Sequence, residues 1–195
     1  PLNMIDTDFY VPEDKHHRFV DCYQELVSKT GNKLKRCYKG GEDIFSKKRN
    51  FLSGGGGLCS TLADYANFCQ MILNEGYFDG KQLLSPITVR FMRENHLPNN
   101  QTMSEMGDDN FSEVRYDGAG FGLGFSSLID PVKSMSPLST GSISWGGMAS
   151  TFFWIDPKEN LFSILLTQLI PSGRYPIRPQ AQTLVYSAIS ELKKY

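Results

Sequence analysis

The clearest pattern in the chain is two runs of apolar, β-branched and aromatic residues with a short polar segment between them. The first run ends at residues 151–155, the second covers residues 161–169, and residues 156–160, which contain Asp, Pro and Asn, separate them. Two such runs around a short turn predict an antiparallel hairpin. Its first strand is expected to begin near Ser142.

Two glycines, Gly146 and Gly147, lie inside this first strand directly after Trp145. Glycine weakens a strand and often marks a place where another group approaches the backbone closely. An edge strand with bare backbone beside a tryptophan could receive the acyl group of a substrate. The alternative is a β-bulge that fits a helix onto the sheet, and the pattern alone favours the bulge.

Shorter segments predict the remaining strands and connections. Residues 20–27 and 34–38 are expected to form two strands joined by a turn at Gly31-Asn32. Residues 120–129 predict one further strand, which Asp130-Pro131 ends. Residues 97–118 are polar and predict a long excursion that either borders a binding site or is disordered.

Three segments have helical signals. The first helix is expected to start at Ser60 or Thr61, with Thr61-x-x-Asp64 in the form of a capping box, and to stop at Gly76. The second begins at Ser85-Pro86 and runs to about residue 95. The last covers residues 179–194, after a linker at 171–178. Helical spacing predicts the buried faces of the first and last helices: Leu62, Tyr65, Ala66, Cys69, Ile72 and Leu73, then Ala181, Leu184, Val185, Ala188 and Leu192.

Strands and the helices that must cover them predict an α+β fold, an antiparallel sheet flanked by helices. The 195 residues are 40% hydrophobic, which suits one domain with a real core. Pro1 is not a natural start and no leader pattern follows it, so we expect the chain to be a piece of something longer.

Charge and cysteine usage exclude several classes of partner. The formal net charge is −1, from 20 basic and 21 acidic residues, so neither nucleic acid nor an anionic membrane is expected as a partner. No apolar stretch reaches the length of a transmembrane helix. The four cysteines lack a metal-ligand spacing, and no metal or cofactor is expected. Cys59 and Cys69 are predicted to be buried thiols, whereas Cys22 and Cys37 either form a disulfide across a hairpin or remain free.

Four segments resemble the serine β-lactamase-like hydrolases, the group of class C β-lactamases, penicillin-binding proteins and related esterases, and they occur in the order of that family. In chain order they are residues 1–4 together with Thr7; residues 53–66, with four glycines before a helix; residues 120–125, Gly-Phe-Gly-Leu-Gly-Phe; and Trp145-Gly146-Gly147. Trp145-Gly146-Gly147 stands where β-lactamases carry Lys-Thr-Gly. The resemblance implies that residues 1–195 are the C-terminal part of a single β-lactamase-like domain, whose nucleophile segment lies upstream.

The same resemblance assigns roles in acyl transfer. The backbone N–H of Met148 matches the family's second oxyanion donor, and Trp145, Gly146 and Gly147 form a substrate-binding wall. Because Trp145 replaces the motif lysine, the wall favours a neutral or apolar substrate, as in the esterase-like members. Ser150 replaces a glycine that is frequent in this segment, which leaves the tightness of the strand open.

Literal matches to the family's catalytic motifs occur in the wrong order. Ser190 with Lys193 fits Ser-x-x-Lys, Tyr65 with Asn67 fits Tyr-x-Asn, and residues 29–31 fit Lys-Thr-Gly. All three are interpreted as chance matches outside their structural context. The run at residues 54–57 lacks the Gly-Lys-Ser/Thr ending of a phosphate loop and is interpreted as a flexible turn before a helix.

Histidine chemistry is also unsupported by the sequence. His16 and His17 are expected at the surface, and His96 is expected to cap or pack against the second helix. No acidic partner stands at an informative spacing from any of them, so a Ser-His-Asp site is not predicted.

Two hypotheses for function remain. The first is the C-terminal part of a serine hydrolase that acts on a small ester, amide or lactam, with its nucleophile on an upstream segment of the same protein. The alternative is a non-catalytic β-lactamase-like fragment or binding protein. This chain alone holds neither Ser-x-x-Lys nor Tyr-x-Asn in a usable position, so it is not expected to be active by itself.

Overall fold

The computed structural model describes residues 1–26, 31, 33–39, 44–106 and 116–191. Strands in this part of the chain are β1 (Cys22–Leu26), β2 (Lys33–Tyr38), β3 (Tyr77–Phe78), β4 (Lys81–Gln82), β5 (Ala119–Phe121), β6 (Ser126–Leu128), β7 (Ile143–Gly146), β8 (Phe152–Asp156), β9 (Leu161–Leu165) and β10 (Leu169–Ile170). The α-helices are α1 (Leu62–Leu73), α2 (Pro86–Arg93), α3 (Met103–Met106) and α4 (Ile177–Ser187). Short 3-10 helices cover Glu13–Arg18, Ile44–Ser46 and Pro98–Asn100.

The main sheet has five strands in the order β5-β6-β7-β8-β9, and each neighbouring pair is antiparallel. The turn at residues 156–160 is confirmed, since it joins β8 to β9 with Asp156 opposite Leu161. The first predicted strand is wrong in one respect. Residues 142–156 form two paired strands, β7 and β8, with Trp145 opposite Phe153. β7 is an inner strand, because β6 pairs along its other side as far as Ser144.

Residues 120–129 are also two strands where one was predicted. β5 and β6 pair around a tight turn in which the Gly122 N–H donates to the carbonyl oxygen of Phe125 at 2.8 Å. The chain can reverse here because Gly124 has a φ of 106°, a region that side chains disfavour. The Leu123 N–H leaves the ladder and donates to the Met92 carbonyl at the end of α2, at 2.8 Å.

A second sheet has the order β10-β1-β2. The predicted hairpin of β1 and β2 is confirmed, although part of its turn, including Asn32, lies outside the described residues. β10 pairs with β1 in parallel. No disulfide joins Cys22 to Cys37, and the Cys37 Sγ–H donates to the Cys22 carbonyl at 3.3 Å. The disulfide alternative is therefore not adopted.

Helix α1 starts where the sequence predicted, with the Thr61 hydroxyl accepting a hydrogen bond from the Asp64 N–H at 3.2 Å. The second bond of a capping box, from the Thr61 N–H to the Asp64 side chain, does not form, because the Asp64 carboxylate accepts from Asp6 and Thr7 instead. Cys69 and Ile72 are fully buried as predicted, and burial raises the pKa of the Cys69 thiol to about 12. Leu62 was predicted to be inside and is instead exposed.

The other helices agree with the sequence in position and differ in detail. α2 begins at Pro86 after the N-cap Ser85, as predicted, and ends at Arg93. α4 begins at Ile177, two residues before the predicted start at Pro179. The predicted inner residue Leu184 is 72% exposed, and Leu192 lies outside the described residues.

Helices cover both faces of the main sheet, which confirms the α+β prediction. One cluster joins α1 and α2 to the sheet through Cys69, Met71, Ile72, Val89, Phe125, Ile143, Phe153 and Ile155. On the opposite face α4 packs over Leu128, Leu138 and Trp154. Among the described residues, none of the helices has the length and apolarity to cross a bilayer.

Candidate active site

The segment after β7 is a tight turn in which some backbone N–H groups have no acceptor among the described residues. The Gly147 N–H donates to the Thr151 carbonyl at 3.0 Å, and the Ser150 N–H donates to the Gly147 carbonyl at 3.0 Å. Met148 lies at the exposed tip of this turn. Its N–H, like those of Ala149 and Thr151, donates to none of the residues that the structure describes. The donor that the resemblance assigned to an oxyanion is therefore not used in a hydrogen bond within the described part of the chain.

The end of β7 also has an open side. The Ser142 carbonyl accepts from the Leu128 N–H at 2.8 Å, and the Ser144 carbonyl accepts from the Ser126 hydroxyl at 2.7 Å. Backbone groups of alternate residues in a strand point the same way, so the main chain of Gly146 points to this side as well. The ladder with β6 stops at Ser144. Among the described residues, no strand therefore pairs with the backbone from Gly146 onward on the β6 side.

Trp145 forms an aromatic wall on the α1 face of the sheet. Its ring stacks on Tyr116 at a centroid distance of 5.6 Å and meets Phe121 edge-on at 5.0 Å. It stands opposite Phe153 in the register and packs at the margin of the α1 core cluster. Aromatic neighbours on two sides fix the indole in place. The surface next to the turn on this face of the sheet is therefore aromatic rather than cationic.

At Gly146 and Gly147, other side chains occupy the space that a Cβ would take. A Cβ on Gly146 would lie 2.6 Å from the Arg178 Nη2, on the α4 face of the sheet. A Cβ on Gly147 would lie 2.5 Å from the Thr151 Oγ1. The α-carbon of Gly146 thus packs against the guanidinium of Arg178. The sequence analysis did not identify Arg178.

A second set of hydrogen bonds ties the turn to the strand that follows β9. The Ala149 carbonyl accepts from the Leu169 N–H at 3.0 Å, and the Thr167 hydroxyl donates to the Ser150 carbonyl at 3.0 Å. Ser150 is buried, with a φ of 67°. No sequence signal identified Thr167, because its partner is brought to it only by the pairing of β8 with β9.

The N-terminal segment, which resembles the family's sequence after its second motif, is anchored to α1. The buried Asp64 carboxylate accepts from the Asp6 N–H at 2.7 Å and from the Thr7 hydroxyl at 2.8 Å. Lys15 and Arg18 both bind the Asp6 carboxylate, and their hydrogen bonds lower the pKa of Asp6. The carboxylate of Asp64, which was predicted to belong to a capping box, instead holds residues 6 and 7, while the Asp64 N–H still donates to the capping Thr61 hydroxyl.

The chance interpretation of Tyr65 and Asn67 agrees with their surroundings. The Tyr65 ring packs edge-on against Phe153 at 5.1 Å, and burial raises the pKa of its phenol. The Asn67 side chain donates to the Leu2 carbonyl at 2.9 Å. Both groups are used in packing and neither faces the turn after β7.

The structure describes only part of the other two literal motif matches. Ser190 is exposed beyond the end of α4, and Lys193 lies outside the described residues, as do residues 29 and 30. Each histidine ring bonds a backbone carbonyl oxygen: His16 that of Val11, His17 that of Asp14 and His96 that of Phe91. The packing of His96 on the second helix is thereby confirmed. No group of side chains in the described ranges could hold a metal ion.

Comparison with known proteins agrees with the resemblance seen in the sequence. A family model described as Beta-lactamase matches residues 1–186. Protein Rv1367c of Mycobacterium tuberculosis is 34% identical over 174 residues, which are 88% of this chain and 41% of that protein. The simvastatin synthase LovD of Aspergillus terreus is structurally similar with a TM-score of 0.73, at 21% identity, over 98% of this chain and 48% of that one.

A second similar structure is that of EstCE1, a hydrolase with promiscuous acyltransferase activity. It has a TM-score of 0.71 at 24% identity, and the match covers 95% of this chain and 48% of EstCE1. At these identities the likeness shows the fold. The chain spans about half the length of the relatives it matches.

Proposed function

This chain belongs to the beta-lactamase family, and from that premise we propose that it supplies the oxyanion donor and acyl-binding wall of a serine hydrolase. The observation that carries the proposal is the Met148 N–H, which has no acceptor among the described residues and lies at the exposed tip of the turn that follows β7, beyond the end of the pairing with β6. Acyl transfer to a serine develops negative charge on the former carbonyl oxygen. A fixed backbone N–H beside the strand is the kind of group that stabilises it.

The wall formed by Trp145 favours esters with neutral acyl groups over β-lactams. A β-lactam carries a carboxylate, which a cation would bind and an indole would not. Tyr116 and Phe121 hold the indole, so the apolar surface is already formed before a substrate binds. EstCE1 is named as a hydrolase with acyltransferase activity, and a similar reaction class suits this wall.

The proposal places the serine nucleophile and its lysine on the segment that precedes residue 1 in the complete protein. Three features support this placement. The four family-like segments occur here in the order of the family's later half, the relatives are about twice as long, and residues 6 and 7 are anchored to α1. Exposed apolar side chains near this anchor, Ile5, Leu58 and Leu62, offer a surface for that segment.

The test uses the full-length protein and residues 1–195 produced alone. Both are incubated with p-nitrophenyl esters, with a chromogenic cephalosporin and with a serine-directed fluorophosphonate, and the labelled serine is located by peptide mass spectrometry. We expect ester turnover and one labelled serine upstream of residue 1 in the full-length protein. Residues 1–195 alone are expected to remain unlabelled and inactive.

Two results would count against the proposal. Stoichiometric labelling of a serine within residues 1–195 would show that the site has been assigned to the wrong part of the protein. Absence of both labelling and turnover in a folded full-length protein would favour the alternative, a non-catalytic binding protein.

A further inference from the structure

We propose that Arg178 is a positioning residue for the oxyanion donor, an inference that rests on the proposed function. Arg178 is the second residue of α4, and α4 lies on the face of the sheet away from Trp145. Its Nη2 donates to the carbonyl oxygens of Gly147 at 3.0 Å and of Thr151 at 3.1 Å. These two carbonyls begin and end the turn that carries Met148.

The Gly147 carbonyl and the Met148 N–H belong to the same peptide group. A cation bonded to the oxygen of an amide draws electron density from it and makes its N–H a stronger donor. Because the peptide group is planar, the hydrogen bond from Arg178 to the Gly147 carbonyl also fixes the direction of the Met148 N–H. Arg178 therefore acts on the oxyanion through the peptide bond, without touching the substrate.

The guanidinium is directed to this peptide by its surroundings. It lies over the Phe152 ring, with 5.4 Å between its central carbon and the ring centroid. It packs against the α-carbon of Gly146, where a methyl group would lie 2.6 Å from Nη2. Among the residues that the structure describes, no carboxylate pairs with Arg178. Its charge is thus directed at the two backbone carbonyls rather than neutralised by an ion pair.

The absence of a side chain at Gly146 leaves room for the Arg178 guanidinium on the α4 face of the sheet. Two changes at separate positions should then disturb the same hydrogen bond. Arg178→Met removes the donor but keeps much of the apolar stem, and Gly146→Ala pushes the guanidinium away from the turn. Arg178→Lys keeps the charge but cannot reproduce the geometry of the planar fork.

The kinetic test uses the full-length protein and a small ester. We expect Arg178→Met and Gly146→Ala each to lower kcat about tenfold or more, less than the loss of an oxyanion donor itself, with KM nearly unchanged. The two effects should not add in the double variant, because both act on one bond. The affinity for a boronic acid that places an oxygen in the oxyanion site should fall in parallel with kcat.

Matched controls separate this role from general loss of structure. Arg90→Met removes an arginine on α2 that pairs with Glu75. This ion pair involves no residue of the turn that carries Met148. Gly55→Ala adds a methyl group where nothing lies within 4 Å. Both controls should keep wild-type kcat, and thermal unfolding should show that every variant is folded. Arg178→Lys provides a second variant if Arg178→Met does not fold, and it should recover only part of kcat.

A spectroscopic readout tests the hydrogen bond without relying on activity. Gly147-Met148 is the only Gly-Met pair in the 195 residues. A sample with ¹³C-carbonyl glycine and ¹⁵N-methionine therefore gives one HNCO cross-peak from this chain, which Met148→Leu identifies. Loss of the hydrogen bond should move the Gly147 carbonyl carbon upfield in Arg178→Met and in Gly146→Ala, but not in the two controls.

The outcomes distinguish the two proposals. Unchanged kcat in a folded Arg178→Met protein, a change in KM alone, or an unmoved carbonyl resonance would overturn the role of Arg178 and leave the proposed function intact. A wild-type protein without turnover or labelling would overturn the proposed function. The movement of the carbonyl resonance would then still decide whether Arg178 holds the peptide.

Discussion

The hydroxyl of Ser150 donates a 2.7 Å hydrogen bond to the carbonyl oxygen of Leu169. Ser150 has a φ of 67°, in the left-handed region where glycine is preferred. Ser150 thus has a backbone conformation that glycine adopts readily, and its hydroxyl adds a bond from the turn to β10. This bond ties the turn that carries Met148 to the second sheet.

Two substitutions at Ser150 should separate the hydrogen bond from the backbone conformation. Ser150→Ala loses the bond and keeps the strained φ, and should lower the free energy of unfolding by about 1–3 kcal/mol. Ser150→Gly also loses the bond but removes the strain, and should cost about 1 kcal/mol less than alanine. Urea unfolding of the full-length protein measures both. Equal costs for the two variants would show that the left-handed conformation is not strained.

Replacement of Trp145 by alanine should weaken the binding of bulky acyl groups. The indole is held by Tyr116 and Phe121, so its loss removes a preformed apolar surface. We expect KM for long-chain or aromatic acyl esters to rise by an equivalent of about 1–3 kcal/mol. The KM for an acetyl ester, which does not reach the wall, serves as the control. A uniform rise for all esters would contradict a role in acyl binding.

Trp145→Lys should not by itself give efficient β-lactam turnover. The substitution restores the charge found in β-lactamases, but it removes the stacking on Tyr116 and the contact with Phe121. One charge does not rebuild a pocket whose walls are apolar. Steady-state hydrolysis of a chromogenic cephalosporin by the full-length variant measures this. Turnover at the level of a true β-lactamase would show that Trp145 alone sets the substrate class.

Gly147→Val should act mainly on kcat. Its Cβ would lie 2.5 Å from the Thr151 Oγ1, so the Thr151 side chain or the turn must shift, and the branched side chain should push the acyl carbonyl away from the Met148 N–H. Losing one oxyanion donor lowers kcat about a hundredfold or more. Steady-state ester kinetics test the effect, with Gly147→Ala as a smaller change at the same position. If Gly147→Val keeps full kcat while Trp145→Ala abolishes it, the oxyanion wall lies elsewhere.

Glu75 and Arg90 should give a pH-dependent contribution to stability. Arg90 donates to both carboxylate oxygens, at 2.9 and 3.0 Å, and this bonding lowers the pKa of Glu75 from its ordinary value of 4.5. The contribution is therefore present above pH 4.5 and is lost as the pH falls through the lowered pKa. A ¹³C NMR titration of the Glu75 carboxyl should have its midpoint below 4.5. In Arg90→Met the midpoint should move up towards that value.

Local signals in the sequence were sufficient for most elements. Ser85-Pro86 and Thr61 mark the starts of α2 and α1, and the turn at residues 156–160 joins β8 to β9, because caps and turns depend on a few neighbouring residues. At residues 120–129 and 142–156, however, the same signals predicted one strand where the structure has two paired strands. Apolar residues on both sides of a glycine turn resemble one continuous strand until the pairing is known.

By itself the sequence determined the α+β class, the family resemblance and the position of Trp145-Gly146-Gly147, since these depend on residue order and periodicity. Only the tertiary structure decided what surrounds that motif. Arg178 reaches Gly147 across 31 positions of the chain and Asp64 holds Thr7 across 57. Contacts between such distant residues leave no local pattern, because the folding of the sheet and its helices is what brings their side chains within hydrogen-bonding distance.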